Sequence, residues 1–276
     1  MTPKVIVFLA LLAVAFAEKP FLGLRTPVFP HVVGGREAVK GSHPHIVSLQ
    51  WGPSTSTASH FCAGSIIDKQ WILTAAHCPL AVPSYGEFVV KAGKHNIKIT
   101  ESTEQVIRVS KSIVHENYQG GVGPYDIALI KLSTPLNLSI EVRTVVLPTP
   151  ESTPLGNATL CGWGSTSTTS FPRMPDKLQE VSLPYLDLVA CSDAVRRLTG
   201  SSPVHATNVC TGPLTGGTSA CSGDSGGPLT SKVGNSEILT GIVSWGIIPC
   251  GTTGAPSVYT KVSKFNSWIQ QKIATN

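Results

Sequence analysis

Charge is scarce in this chain: 13% of its 276 residues are Asp, Glu, Lys or Arg. The formal net charge is +5 and the pI about 8.8. Residues 1–31 hold Lys4, Lys19, Arg25 and Glu18, so the rest of the chain carries +3. No run of Lys or Arg concentrates that charge, which argues against a nucleic-acid partner. Long apolar runs are also missing after the first seventeen residues, and a membrane helix needs about 20 such residues; no membrane association is expected. Helical periodicity is rare. No spaced set of His, Cys, Asp and Glu reads as a metal site, and His43-Pro44-His45 reads as a loop. No metal and no cofactor are expected.

Turn chemistry is plentiful. Glycine occurs 26 times and proline 21 times, as in a protein of many short strands. Apolar strand-like segments recur at Ile46–Leu49, Ile66–Leu73, Glu87–Ala92, Val106–Val109, Ile127–Leu132 and Ile238–Ser244. Helix is expected in two places. One is Asp187–Leu198. The other is the C-terminus, where Val262, Phe265, Trp268, Ile269 and Ile273 recur at helical spacing and predict one docked apolar face. The order of elements predicts an all-β architecture.

Residues 1–17 read as a signal peptide. Lys4 supplies the positive start, Val5–Ala15 the apolar core, and Ala15-Phe16-Ala17 the small-x-small cleavage pattern. Residues 18–31, with Pro20, Pro27 and Pro30, read as a propeptide. The product is then expected to be secreted, and its seven cysteines to lie in an oxidising compartment. Asn137-Leu138-Ser139 and Asn157-Ala158-Thr159 are candidate glycan acceptors.

The chemistry-bearing segments are Thr74-Ala75-Ala76-His77-Cys78, Asp126-Ile127-Ala128-Leu129-Ile130 and Gly223-Asp224-Ser225-Gly226-Gly227-Pro228. They place a base, an acid and a nucleophile in the order His, Asp, Ser. A serine hydroxyl is a poor nucleophile until a neighbouring base takes its proton. Neutral imidazole does this near pH 7, and a buried carboxylate holds its tautomer.

With these motifs, the chain from Val32 to the C-terminus resembles the secreted serine endopeptidases of the chymotrypsin family. The resemblance implies two six-stranded antiparallel β-barrels with the active site between them, plus a C-terminal helix. The first barrel is expected over 32–145 and the second over 146–276. It implies His77 as general base, Asp126 as its orienting acid, Ser225 as nucleophile, and the N–H groups of Gly223 and Ser225 as the oxyanion hole. It implies a zymogen: a cut between His31 and Val32 frees an amine that pairs with Asp224. His31 stands where many relatives have Arg or Lys, so the activating protease is not expected to be trypsin-like.

The same resemblance places Ser219 at the floor of the specificity pocket, where trypsin-like relatives have Asp. It places Gly246 at the entrance, Ser257 on the wall, and Ser244, Trp245 and Gly246 along the substrate backbone. Cleavage after Phe, Tyr or Leu is expected, with small residues (elastase-like) as the alternative. The implied disulfides are Cys62–Cys78, Cys191–Cys210 and Cys221–Cys250. Cys161 is left as a buried thiol, because Ser231 stands where relatives have its partner. Of the two acidic anchors of a family calcium loop, Glu104 is present but Lys94 occupies the other position. Partners implied are protein or peptide substrates and proteinaceous serine protease inhibitors. A monomer is expected, and a digestive role fits the short propeptide, with an immune or tissue-processing role equally open. A non-catalytic binding protein on the same fold is the competing reading.

Overall fold

The computed structural model describes residues 24–25 and 31–276; the signal-peptide reading and most of the propeptide lie outside the described residues. Two short strands come first, β1 (Leu24–Arg25) and β2 (His31–Val33), then β3 (Arg36–Glu37). β4 (Ile46–Gly52), β5 (Ser59–Asp68) and β6 (Trp71–Thr74) follow, then a short helix α1 (His77–Leu80). β7 (Glu87–Ala92), β8 (Gln105–Val114) and β9 (Ala128–Leu132) complete a closed barrel in the order β4-β5-β6-β9-β8-β7. Its ladders are all antiparallel. Leu49, Ile66, Ile72, Leu73, Leu129, Ile130 and Leu132 fill its interior and are fully buried.

The second half runs β10 (Asn157–Gly162), β11 (Gln179–Leu186), helix α2 (Leu188–Thr199), β12 (Asn208–Thr211), β13 (Ser219–Cys221), β14 (Pro228–Val233), β15 (Ser236–Ile247) and β16 (Ser257–Lys261). Antiparallel pairing runs β15-β14-β10-β11-β12-β16, and β16 returns to β15, so this sheet also closes with six strands. Leu160, Leu183, Leu229, Val243 and Tyr259 fill it. The two-barrel expectation holds.

Both expected helices form. Asp187 caps α2 by accepting a hydrogen bond from the Ala190 N–H at 2.8 Å, which satisfies an orphan donor of the first turn. Gly200 ends it in the left-handed conformation. The C-terminal apolar positions begin in a 3₁₀ turn (Val262–Lys264) and continue into α3 (Asn266–Thr275). Val262, Phe265 and Ile269 are buried against the first barrel's core, with Trp268 and Ile273 packed at its edge. The expected single strand over Ile66–Leu73 is corrected: Lys69 and Gln70 turn the chain between β5 and β6. Among the described residues, no helix is long and apolar enough to cross a membrane. Asn137 and Asn157 are both exposed.

Candidate active site

The expected site residues come from both barrels. His77 opens α1, directly after β6, and Asp126 lies two residues before β9. Ser225 sits in the turn between β13 and β14 of the second barrel.

Asp126 is 1% exposed, so its carboxylate needs donors. It has three. Oδ1 accepts the backbone N–H of His77 at 3.0 Å, and Oδ2 lies 2.8 Å from His77 Nδ1. The Ser244 hydroxyl donates to Oδ2 at 2.6 Å. The Thr260 hydroxyl fixes the backbone by donating to the Asp126 carbonyl at 2.7 Å. A carboxylate can only accept, so Nδ1 carries the proton and Nε2 keeps its lone pair. Nε2 is shielded from solvent and makes no hydrogen bond among the described residues. The imidazole thus keeps its proton on the Asp126 side and presents the Nε2 lone pair on the other.

The Ser225 turn is tied to β5 of the first barrel and β15 of the second. The Ala63 N–H donates to the Ser225 carbonyl at 2.8 Å, and the Gly226 N–H donates to the Val243 carbonyl at 2.9 Å. Gly226 has φ +75°, and a Cβ there would lie 2.1 Å from Thr74 Oγ1 and 3.1 Å from Cys78 Sγ. Only glycine allows this approach of the two loops. The Cys62–Cys78 disulfide closes the His77 loop, and Cys191–Cys210 and Cys221–Cys250 close two segments of the second barrel. Each contributes roughly 2–4 kcal/mol by restricting the unfolded chain. Cys161 is the buried free thiol, and Ser231 instead bonds the Tyr185 hydroxyl at 2.7 Å.

Nothing in the sequence pointed to His60. Its Nδ1 meets the Ser48 hydroxyl at 2.8 Å, and its Nε2 donates to the Gly223 carbonyl at 3.2 Å, fixing the peptide between Gly223 and Asp224. Burial pushes its pKa down to about 4, against the pull of that carbonyl. The unfolded chain takes up this proton near the ordinary imidazole value, whereas the folded chain refuses it until about 4. Stability is therefore lost as pH falls through that window, by about 2 kcal/mol between pH 7 and pH 5. Melting curves should show a smaller acid-induced drop for His60→Gln than for the parent. Equal drops would reject the assignment.

Asp224 is fully buried. Its Oδ2 accepts the Cys221 N–H at 3.1 Å, while Oδ1 has no hydrogen-bond partner. Burial raises its pKa well above the ordinary carboxylate range, opposed by the N–H groups of Cys221 and Gly164. Val32 is packed nearby in the core of the second barrel, and β2 pairs with β13 in the register Val33↔Ser219, Val32↔Ala220.

The pocket segment contains no acid. The Ser219 hydroxyl accepts the Gly251 N–H at 2.8 Å, and the Ser257 hydroxyl accepts the Ala220 N–H at 3.0 Å. Both serines are buried behind a hollow lined by Ala220, Ser222, Val243, Trp245, Gly246 and Ile247, among others. They tie its floor and wall together and are not part of its lining. A Cβ on Gly246 would meet nothing within 4 Å, so the entrance is open. Trp245 is buried, leaving its backbone as the part able to face a ligand. At the family's calcium loop, Lys94 supplies the cation: its buried Nζ lies 2.7 Å from Glu104 Oε2 and also donates to the Ile99 carbonyl.

Two closed antiparallel barrels, a carboxylate-held histidine from the first and a Gly-Asp-Ser-Gly-Gly turn in the second characterise the serine endopeptidases. The description "Trypsin" matches residues 32–269 at family level. The chain is 40% identical to a trypsin of Xenopus laevis over 245 residues, 89% of this chain and 92% of that relative. It is 40% identical to a trypsin of Sus scrofa over 246 residues (89% and 96%), and 38% identical to the lectizyme of Glossina austeni over 259 residues (90% and 89%). This chain belongs to the trypsin family, and it is a serine endopeptidase that acts on protein substrates.

Proposed function

We propose that the mature chain, beginning at Val32, is a secreted digestive-type endopeptidase that cleaves after large apolar or aromatic residues. In this reading His77 takes the Ser225 proton, Ser225 attacks the peptide carbonyl, and the N–H groups of Gly223 and Ser225 stabilise the oxyanion. The observation that carries the specificity is the uncharged pocket. Ser219 has its hydroxyl engaged by Gly251, so nothing there can neutralise a substrate Lys or Arg. An unpaired charge would be costly to bury. The backbone edge at Gly246–Ile247 is able to take an added strand, since Leu24–Arg25 pairs there antiparallel. Matched peptide substrates ending in Phe, Ala and Arg decide the matter. The Phe substrate should have the highest kcat/KM, and Ser219→Asp should shift preference toward Arg. An Ala optimum would support the elastase-like alternative. Arg as the best substrate of the parent would refute the pocket reading. A processed chain that an active-site serine reagent fails to label would support the non-catalytic reading.

We also propose that the uncut chain is a zymogen. Asp224 Oδ1 is buried without a partner, and a freed Val32 ammonium would supply one. Burial raises the carboxyl pKa, so Asp224's own contribution to the uncut form's stability is present in acid and is lost as pH rises from the ordinary carboxylate value toward the raised one. Cleavage removes that penalty. Activity of the mature form should fade as the amine loses its proton, whose ordinary pKa is near 8 and is raised by the carboxylate partner. Acetylating the Val32 amine should abolish activity. Full activity of the uncut or acetylated chain would exclude the switch.

A further inference from the structure

We propose that His43, His45 and Cys161 form a binding site for one transition-metal ion of the zinc class. The three residues offer one ligand atom each, and these atoms lie within 4.8 Å of one another. All three are buried, at 7%, 2% and 1% exposure. His43 Nδ1 and His45 Nε2 are both sealed from solvent and have no hydrogen-bond partner. Two unsatisfied buried nitrogens converging on a thiol form an arrangement that a cation resolves. Left empty, each such atom keeps an uncompensated desolvation penalty.

The outward nitrogens are already committed. His43 Nε2 lies 2.8 Å from Glu180 Oε2, and His45 Nδ1 lies 3.2 Å from Glu237 Oε2. A carboxylate accepts a proton-bearing nitrogen, so each ring keeps its proton on the outer side and its lone pair on the inner side. This is the arrangement that orients histidine for a metal and raises its basicity. Two imidazoles and a thiolate suit zinc-class ions and disfavour calcium or magnesium. Zinc bonds of about 2.0–2.1 Å to nitrogen and 2.3 Å to sulfur imply ligand atoms roughly 3.5 Å apart. Inward side-chain rotations of about 1 Å reach that from the present spacing. Binding would release the Cys161 thiol proton to solvent and form the metal–sulfur bond. Three protein ligands leave one position for water or an exogenous group.

The site joins three segments. Arg36 pairs with Glu180 at 2.8 Å, tying in the chain that follows Val32. Gly162, next to Cys161, abuts the switch carboxylate; a Cβ there would lie 2.0 Å from Asp224 Oδ1. A surface cleft lined by Gly35, Arg36, His43, Glu180 and Glu237 opens beside it and offers a path of entry. A bound metal should therefore stabilise the docked N-terminal segment without touching the proposed triad.

The test is cobalt titration of metal-stripped mature protein whose active-site serine has been covalently blocked, so that His77 is not a competing ligand. One Co²⁺ per chain should bind, with thiolate-to-cobalt charge-transfer absorption and tetrahedral d–d bands. Zn²⁺ should displace it and raise Tm. Cys161→Ser should lose the charge-transfer band and the Zn²⁺-dependent rise in Tm. Glu180→Gln leaves all three ligands in place and should weaken binding 10–100-fold; it keeps the proposal testable if the ligand variants fold poorly. Absence of the charge-transfer band in the parent would overturn it. So would a band that survives in Cys161→Ser, or affinity unchanged in Glu180→Gln.

Discussion

Replacing Ser225 with Ala should lower kcat of the mature enzyme by about 10⁶-fold, with KM changed only a few-fold. The variant keeps the pocket, the N–H groups proposed for the oxyanion hole and the His77–Asp126 pair, and loses the oxygen proposed to form the acyl-enzyme. What remains is water attack assisted by backbone donors, worth about 10³ over the uncatalysed rate. Ser225 is fully buried, and its carbonyl is held by the Ala63 N–H at 2.8 Å, an anchor that Ala retains. Tm should therefore shift little. Steady-state hydrolysis and thermal melting on the same preparation check both halves. Residual activity within a thousandfold of the parent would mean that Ser225 is not the nucleophile.

Much of this architecture was legible because local patterns and long-range structure agree. The alternation and turn density pointed to an all-β chain, and the family motifs brought the two barrels and three disulfides. The hairpin within Ile66–Leu73 was not legible, because its turn contains neither Gly nor Pro. Asp68 makes it instead, its carboxylate accepting the Gln70 N–H at 3.0 Å. His60 was invisible for a different reason. Its partners Ser48 and Gly223 are set by strand register and by packing between the barrels, which no local spacing encodes. The same holds for the His43–His45 pair and Cys161. Read alone they are a loop and a leftover thiol; their meaning comes from Glu180 and Glu237, which arrive from β11 and β15.

The loop before β9 depends on the C-terminal helix. The His115 ring stacks between Tyr125 and Trp268, each at 5.0 Å between centroids, with Phe265 edge-on at 5.4 Å. Tyr125 has φ +65°, a strained conformation for an aromatic residue. The stack holds that turn in place, and the turn aims the next residue, Asp126, at His77. Docking of α3 thus serves the site as well as the core.

Converting Asp126 to Asn separates charge and tautomer from simple positioning. The amide matches the carboxylate in shape, so the His77 backbone N–H can still donate to Oδ1, and the Ser244 hydroxyl, which donates to Oδ2 in the parent, has to turn and accept. At the Oδ2 position, however, an amide nitrogen donates where the carboxylate accepted. His77 Nδ1 would then have to accept, moving the imidazole proton to Nε2, the side that receives the Ser225 proton in the proposed mechanism. The imidazolium formed during attack would also lose its anionic partner. In Ser-His-Asp hydrolases this change costs about 10⁴ in kcat with geometry intact, and the same loss is expected here. Near-parental Tm together with that loss would establish that Asp126 acts through the imidazole. A loss under tenfold would show that the 2.8 Å contact between Asp126 and His77 is structural.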